Sequence, residues 1–519
     1  MPHPGRSELA NAKLAQARDE ARISRASSLL QSRALIRLLA LVLGAAMPLA
    51  FAPFGLWPIA ILSLAGLFWL WQRVDAREAF ALGYLFGLGQ FGVGVSWVYI
   101  SMHLFGEAVA AVAGLITLAF VALSAAFPAL AGWLAARLTP EGNPVRLLLA
   151  LPLSWLLFEL LRGIFLGGFP WLDLGASQVA SPLAGFGPVL GEYGMSLAVA
   201  LSAAALVSLK RPLLALPLLA LIWGGGAALR TIEWVSPAGE PIGVAIVQGN
   251  VEQARKFDPD RYDATLQTYR ELTERNADAQ LILWPETAVP DLVSQAAPFL
   301  IEMQDKAREW GNQVVVGLFD EDHVGHYYNG LLSLPVEGGR YRKRHLVAFG
   351  EYLPLRFLIE PFKAFIQVPM SDLSSGAAEQ PLLRLAAQPA GASICYEAAL
   401  SREIRRALPE AAFLVNASND AWFGDSLAPH QHLQIASVRA LETGRWMARA
   451  TNTGISALID THGRVVARTP QFEEAVLRGE ITPMQGSTPF VRWGEWPLWL
   501  LAGLGLTGLA FRSRRQSAG

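Results

Sequence analysis

Ala392-Ser393-Ile394 is a short β-rich run that stops at Cys395-Tyr396-Glu397, and residues 401–408 beyond it have helical spacing. A side chain at such a strand-to-helix junction projects from a sheet edge, with backbone N–H groups of the next turn close by. The same alternation repeats on both sides. Residues 244–248, 281–284, 314–318 and 413–415 are short runs, mostly apolar on both faces, while 262–277, 298–310 and 430–446 carry helical spacing. Strands apolar on both faces need cover on both faces, so residues 231–490 read as one large α/β domain whose sheet is covered by helices. Residues 327–334 and 339–347 suggest a strand pair across Glu337-Gly338-Gly339. Residues 371–390, rich in Ser, Gly, Ala, Gln and Pro, read as a loop or a mobile lid.

Outside this block the texture changes. Of 519 residues, 53% are hydrophobic and only 16% charged, against roughly 25% charged in an average soluble protein. So few charges cannot solvate a soluble surface of this size, and part of the chain belongs in lipid. Disorder is excluded over most of the length, because it needs low hydrophobicity and high net charge. The 42 basic and 43 acidic residues nearly cancel, so no global field recruits nucleic acid. A single cysteine, Cys395, excludes intramolecular disulfides and any multi-cysteine metal site.

Apolar runs lie at 35–54, 57–71, 79–100, 108–136, 146–166, 181–208, 212–229 and 497–511. A bilayer core of ~30 Å needs ~20 apolar helical residues. Most runs meet that length; 57–71 and 497–511 are short. The expectation is a bundle of about eight transmembrane helices, seven before the polar block and one after it. Positive charge supports it. With a basic tail over 1–34 in the cytoplasm, the inside loops hold Arg73 and Arg77, Arg137 and Arg146, Lys210 and Arg211, then Arg512, Arg514 and Arg515. The outside loops at 52–56 and 101–107 hold no Lys or Arg. The expected organisation is therefore a cytoplasmic tail (1–34), a seven-span bundle (35–230), an extracytoplasmic domain (231–490), and a last span with a basic cytoplasmic tail (491–519). The first run reads as an uncleaved anchor, since a leader of about 34 residues and a long apolar run fit a signal peptide poorly.

Glu159 interrupts the run Leu156-Leu157-Phe158-Glu159-Leu160. A mid-span carboxylate costs ~2.5–3.5 kcal/mol on insertion scales, so it faces a partner or cavity, or makes a helix-packing hydrogen bond. Gly167-Gly168-Phe169-Pro170-Trp171 reads as a turn with interfacial aromatics.

A thiol nucleophile at Cys395 needs a base and a stabiliser for the oxyanion. His430 and His432 are candidates for a Cys-His pair, although both lie at an expected helix start. Glu286, in Trp284-Pro285-Glu286, follows a strand, where a buried carboxylate with a raised pKa can accept a thiol proton. Lys343, in Tyr341-Arg342-Lys343, also follows a strand and can hold developing negative charge.

Taken in order, Trp284-Pro285-Glu286, Lys343 with His345 to Glu351, and Ser393-Ile394-Cys395-Tyr396-Glu397 resemble the Glu-Lys-Cys triad of the nitrilase (carbon–nitrogen hydrolase) superfamily. The resemblance is closer to its apolipoprotein N-acyltransferase branch. That branch also has Val247-Gln248-Gly249-Asn250, Asn419-Asp420-Ala421-Trp422-Phe423-Gly424, Arg449-Ala450-Thr451-Asn452-Thr453-Gly454, Ala52-Pro53-Phe54-Gly55 and Gly168-Phe169-Pro170-Trp171. Two departures are visible: Ala348 where the family often has Pro, and Phe257 near where it often has Trp.

The resemblance implies an α-β-β-α sandwich beside the bundle, with Glu286 as general base, Cys395 as nucleophile, and Lys343 with the Tyr396 backbone N–H at the oxyanion. Glu351, Tyr396 and Glu397 are implied as supporting residues, and Phe257, Trp422 and Phe423 as substrate contacts. The implied donor is a phospholipid, phosphatidylethanolamine giving its sn-1 chain. The implied acceptor is the α-amine of a lipid-modified N-terminal cysteine of an apolipoprotein. The implied setting is a bacterial inner membrane with the catalytic domain in the periplasm. No metal or organic cofactor is called for. Two other readings compete: a membrane-tethered amidase with water as acceptor, and a transporter or sensor, for which one mid-span acid is thin support.

Overall fold

The computed structural model describes residues 33–347, 350–352 and 373–518. Nearly all of the basic tail expected at 1–34, Ala348, and the first two residues of the 371–390 loop lie outside the described residues.

The apolar runs are helical. They form α1 (Arg33–Ala50), α2 (Pro58–Trp71), α3 (Ala76–Gly94), α4 (Ala110–Leu138), α5 (Leu151–Arg162), α6 (Gly187–Val207) and α7 (Pro212–Leu229). Eight spans were expected, and the described helices differ in how far each meets the length of a bilayer. Among the described residues, four helices are long and apolar enough to cross a membrane, and a fifth if α3 and Trp97–Phe105, bent by 52°, are one broken span. The shorter helices have local causes. α2 starts at Pro58 and stops before Gln72-Arg73, after 14 residues; α5 has 12 residues beyond a π-helical turn at Arg146–Ala150; and the last helix runs into Arg512, Arg514 and Arg515. Within the bundle, small residues let helices approach closely. A Cβ on Gly87 of α3 would lie 2.6 Å from Ala125 Cα of α4.

The polar block builds two six-stranded sheets. One runs in the order β13 (Ala475–Ile481), β2 (Ile242–Gln248), β3 (Leu281–Leu283), β4 (Gln313–Glu321), β5 (Tyr327–Leu334), β6 (Arg340–Arg342). The other runs β12 (Val465–Arg468), β11 (Ala457–Ile459), β10 (Met447–Thr451), β9 (Phe413–Ser418), β8 (Gln388–Ile394), β7 (Leu383–Leu385). Each has a parallel centre, β2-β3-β4 or β8-β9-β10, with antiparallel neighbours outside it. A small pair, β1 (Val235–Pro237) and β14 (Met484–Gly486), stands apart.

Alternation along the strands fixes the layers. Ile246, Leu283 and Val315 of one sheet pack with Ile394, Val415 and Ala450 of the other. On the outer face of the first sheet, α8 (Pro259–Glu274) and α9 (Ala297–Trp310) contribute Tyr269, Leu272, Phe299 and Met303. On the second, α10 (Ala428–Thr443) sets Leu433, Ala436 and Ala440 against Leu414 and Met447. The result is the expected α-β-β-α sandwich. The strand pair expected to run to 347 is shorter, because β6 ends at Arg342 and the chain turns away at Lys343.

α10 is buried along almost its whole length, because the sheet covers one side and the bundle the other. Its Gln431 accepts from Trp171 Nε1 at 2.6 Å and donates to the Gly94 carbonyl at 3.2 Å. Gln434 accepts from the Ala52 N–H at 2.9 Å.

Candidate active site

The chemistry-bearing side chains lie beyond the carboxyl ends of strands, where α/β sheets leave a crevice. Cys395 follows β8 and opens a 3₁₀ turn, Cys395–Ala399. Its φ is +51°, a left-handed conformation costing of order 1–3 kcal/mol in a non-glycine residue. Glu397, fully buried, ties this turn down. Its Oε2 accepts from the Ile394 N–H at 2.7 Å, and its Oε1 from the Arg344 and His345 N–H groups at 2.8 and 3.1 Å. Both oxygens also accept from the Tyr341 hydroxyl at 2.9 Å. Glu397 thereby joins the cysteine turn to the segment that carries Lys343.

Lys343 is 1% exposed, and its Nζ lies 2.8 Å from Glu351 Oε1 and 3.4 Å from Glu286 Oε1. Glu286 follows β3 and passes close over β4. A Cβ on Gly317 would meet the Pro285 carbonyl at 2.1 Å, so only glycine admits this approach. Asn329 Nδ2 bridges the two carboxylates, 2.7 Å from Glu286 and 3.1 Å from Glu351. The Asn419 N–H donates to Glu286 Oε2 at 2.8 Å, and the Val347 N–H donates to Glu351 Oε2 at 2.9 Å. Each oxygen of both buried carboxylates therefore has a donor, as low-dielectric surroundings require.

Burial, and then the Glu286 charge, push the Cys395 thiol up to about 12, with Lys343 pulling the other way. Burial works against the Lys343 ammonium, but Glu351, Glu286 and Cys395 outweigh it and hold its pKa above the ordinary lysine value. At neutral pH the set is a protonated thiol beside a fixed cation, with carboxylates hydrogen-bonded around it. A thiol so disposed can give up its proton only as it reacts, to a base already in place.

Tyr396 faces the bundle. Its hydroxyl donates to the Gly168 carbonyl at 2.8 Å, and its ring stacks on Trp171, 6.4 Å between centroids and 3° between planes. Trp422 and Phe423 join an aromatic patch from both halves of the chain. Phe423 packs edge-on to Trp97 at 4.9 Å, and Trp422 edge-on to Phe105 at 6.2 Å. Phe257 lies elsewhere, 47% exposed and 6.3 Å from the Phe319 ring.

Glu159 makes a packing bond: its Oε1 accepts from the Leu174 N–H at 3.0 Å. With Arg162, which donates to the Phe169 and Trp171 carbonyls and to Asp173, it holds the loop that brings Trp171 to Tyr396. Neither candidate histidine is set against the thiol as a base. His430 meets Gln471 at 3.1 Å, and His432 Nε2 meets the Cys395 carbonyl oxygen at 3.2 Å.

Sequence reasoning missed Asn329 and Lys256. A polar Asn329 among the largely apolar residues of β5 was a visible signal. Lys256, 3% exposed, donates to the Glu286 carbonyl at 3.1 Å. Burial pushes it down to about 8, with Glu286 opposing. Next to exposed Arg255 and Phe257, nothing marked it as buried.

The comparisons with known proteins divide the chain where its texture changes. Residues 43–205 match a family model described as the apolipoprotein N-acyltransferase N-terminal domain, and residues 243–489 match one described as carbon-nitrogen hydrolase. A protein of Methylococcus capsulatus named apolipoprotein N-acyltransferase is 46% identical over 488 residues, 93% of this chain and 97% of that one. One of the same name from Azotobacter vinelandii is 46% identical over 494 residues, 93% and 96% of the two chains. Among solved structures, the C. elegans NitFhit protein is similar at 17% identity with a TM-score of 0.38, over 54% of this chain and 67% of that one. With 46% identity to the two curated relatives running through both halves and almost end to end, the chain belongs to the apolipoprotein N-acyltransferase family.

Proposed function

We propose that the protein moves an acyl chain from a phospholipid, through a thioester on Cys395, to the α-amine of the N-terminal diacylglyceryl-cysteine of apolipoproteins. The donor is phosphatidylethanolamine, giving its sn-1 chain. One observation carries the reading: the single thiol of the chain sits beside a buried Glu286–Lys343–Glu351 set, and its next residue stacks on an aromatic of the membrane bundle. A hydrolase of small soluble amides has no need of that junction, whereas an enzyme with two lipidated substrates does.

In the first half-reaction Glu286 takes the thiol proton as sulfur attacks the ester carbonyl. Lys343 and the Tyr396 backbone N–H face the oxygen on which negative charge develops. As the ester C–O bond breaks, Glu286 returns the proton to the glycerol oxygen, and lysophospholipid departs. The aromatic cover keeps water from the thioester. In the second half-reaction the α-amine attacks, Glu286 takes its proton, and the thiol is restored, which makes the kinetics ping-pong. Glu351 and Glu397 orient Lys343 and the cysteine turn, Tyr396 fastens that turn to the bundle, and Trp422, Phe423 and Phe257 contact the lipid chains. The bundle (35–230) and last span (491–519) anchor the chain in a bacterial inner membrane, and domain 231–490 faces the periplasm; the basic residues of alternate loops support that orientation.

Intact mass after incubation with phosphatidylethanolamine vesicles tests the reading. The expected product is one acyl adduct on Cys395, discharged by a diacylated lipopeptide with a free α-amine and absent from Cys395→Ser. Release of free fatty acid with no transfer to the lipopeptide would sink it.

A further inference from the structure

His432 reaches the cysteine through the main chain. A carbonyl oxygen only accepts, so at 3.2 Å from the Cys395 carbonyl it is Nε2 of His432 that carries the hydrogen. Burial first, then the Arg449 charge, keep the His432 pKa below its ordinary value, with Asp420 opposing them. On its other side, His432 Nδ1 lies 2.9 Å from Arg449 Nη2 and 3.0 Å from Asp420 Oδ1, and Arg449 Nη2 also donates to Asp420 Oδ2 at 2.9 Å. Arg449 Nη1 is held by Asn416, and the Ser418 hydroxyl donates to Asp420 Oδ1 at 2.8 Å. Asn416, Ser418, Asp420, His432 and Arg449 are all at most 1% exposed. A buried chain of side chains from β9, β10 and α10 thus ends on one peptide group.

That peptide joins Cys395 to Tyr396. Its carbonyl faces His432, and in a trans amide the N–H points the opposite way. We propose that His432 is a positioning residue for the oxyanion hole, holding the Cys395–Tyr396 peptide from behind so that the Tyr396 N–H meets the developing oxyanion. The hydrogen bond to the carbonyl does two things. It fixes the peptide plane at a residue whose φ is +51°, and it polarises the amide so that its N–H donates more strongly. The proposal rests on the acyl-transfer reading of this site.

Two substitutions in the full-length protein separate the functions of the two ring nitrogens. His432→Gln can present an amide N–H near the place of Nε2. His432→Asn keeps a polar group near Nδ1, toward Arg449 and Asp420, and does not reach the carbonyl. Two rates are compared: acyl adduct formation on Cys395 from phosphatidylethanolamine vesicles, and Cys395 alkylation by iodoacetamide. Alkylation needs the thiolate but forms no oxyanion. We expect His432→Asn to slow acylation by about 10- to 100-fold, less than or equal to the loss of a whole oxyanion donor. Its alkylation rate and its KM for phospholipid should stay near those of the wild type, and His432→Gln should recover most of the acylation. Equal acylation rates in the two variants and the wild type overturn the proposal, and so does a parallel loss of acylation and alkylation. If the wild type itself forms no adduct, the acyl-transfer reading fails instead.

Discussion

Two of the buried ionic clusters among the described residues are built on different terms. Beside Cys395, one ammonium stands between two carboxylates, and Asn329, Asn419 and Val347 supply the remaining donors. At the seam between the bundle and α10, four acids (Glu159, Asp173, Glu192, Glu442) face two guanidiniums, Arg162 and Arg439. There the acids outnumber the cations, and all four are buried. On the proposed acyl transfer, the difference separates charge kept for chemistry from charge kept for shape. A reacting site needs its cation and base fixed in orientation before the transition state forms. A seam needs only to hold backbone, and Arg162 and Glu159 do so for the loop that meets Tyr396.

Removing the cation of the first cluster should have the largest effect. Lys343→Met leaves Glu286 and Glu351 facing each other without a counter-charge and removes an oxyanion donor. Adduct formation on Cys395 should fall by roughly 10²–10³-fold or more, and unfolding should show a loss of about 3–5 kcal/mol, as for a broken buried pair. A variant that retains near wild-type acylation would mean that Lys343 is a structural charge, and the contrast between the clusters would dissolve.

Glu286→Gln sharpens the contrast because its two readouts move apart. Acyl transfer should drop by roughly 10²–10⁴-fold with loss of the general base. The thiol, held up to about 12 by burial and by the Glu286 charge, should titrate lower, since Lys343 then acts on it with less opposition. The pH profile of iodoacetamide alkylation should accordingly shift to lower pH. A profile that stays in place, or moves upward, would show that Glu286 does not act on the sulfur.

The two clusters were unequally legible in the sequence. Glu286, Lys343 and Cys395 each follow a strand in an ordered set of motifs, so residue type and position pointed the same way. The α/β alternation was equally open, since strands apolar on both faces imply cover on both sides. The seam was hidden. Glu159 was conspicuous as a mid-run acid, but Glu192 and Glu442 sit in segments 250 residues apart and meet only in the fold. His432 was noticed for its ring, yet sequence carries no sign of whether an imidazole meets a sulfur or a carbonyl. The shapes of the apolar helices met a different limit. Apolar length alone does not register the bend between α3 and Trp97–Phe105, nor the π-helical turn before α5.

Substitution at Glu159 tests whether the seam holds shape. Glu159→Leu strips the Leu174 N–H of its acceptor and leaves Arg162 with less negative charge nearby. The expected cost is about 1–3 kcal/mol, read as a lowered thermal midpoint of the detergent-solubilised protein. Glu159→Gln keeps an acceptor oxygen and should lose less. If both variants kept wild-type stability but lost acylation, Glu159 would belong with the reacting groups.

The smallest effect expected is a pH dependence confined to the seam. Burial, with Glu192 and Glu495 adding to it against Arg439, pushes Glu442 up to about 8 from an ordinary carboxylate value near 4.5. Folded protein therefore keeps this proton over a range in which the unfolded chain has lost it. The resulting stabilisation is fully present below about 4.5 and drains away as pH rises toward about 8. Glu442→Gln, neutral at every pH, should flatten that decline. Between pH 5 and pH 8 its thermal midpoint should fall less than that of the wild type by about 2–4 °C, the shift that ~1 kcal/mol produces in a domain of 150–250 residues. The Cys395 cluster predicts no such slope over this range, because its lysine stays charged throughout and its thiol stays protonated. A slope that persists in Glu442→Gln would move the titrating group out of the seam.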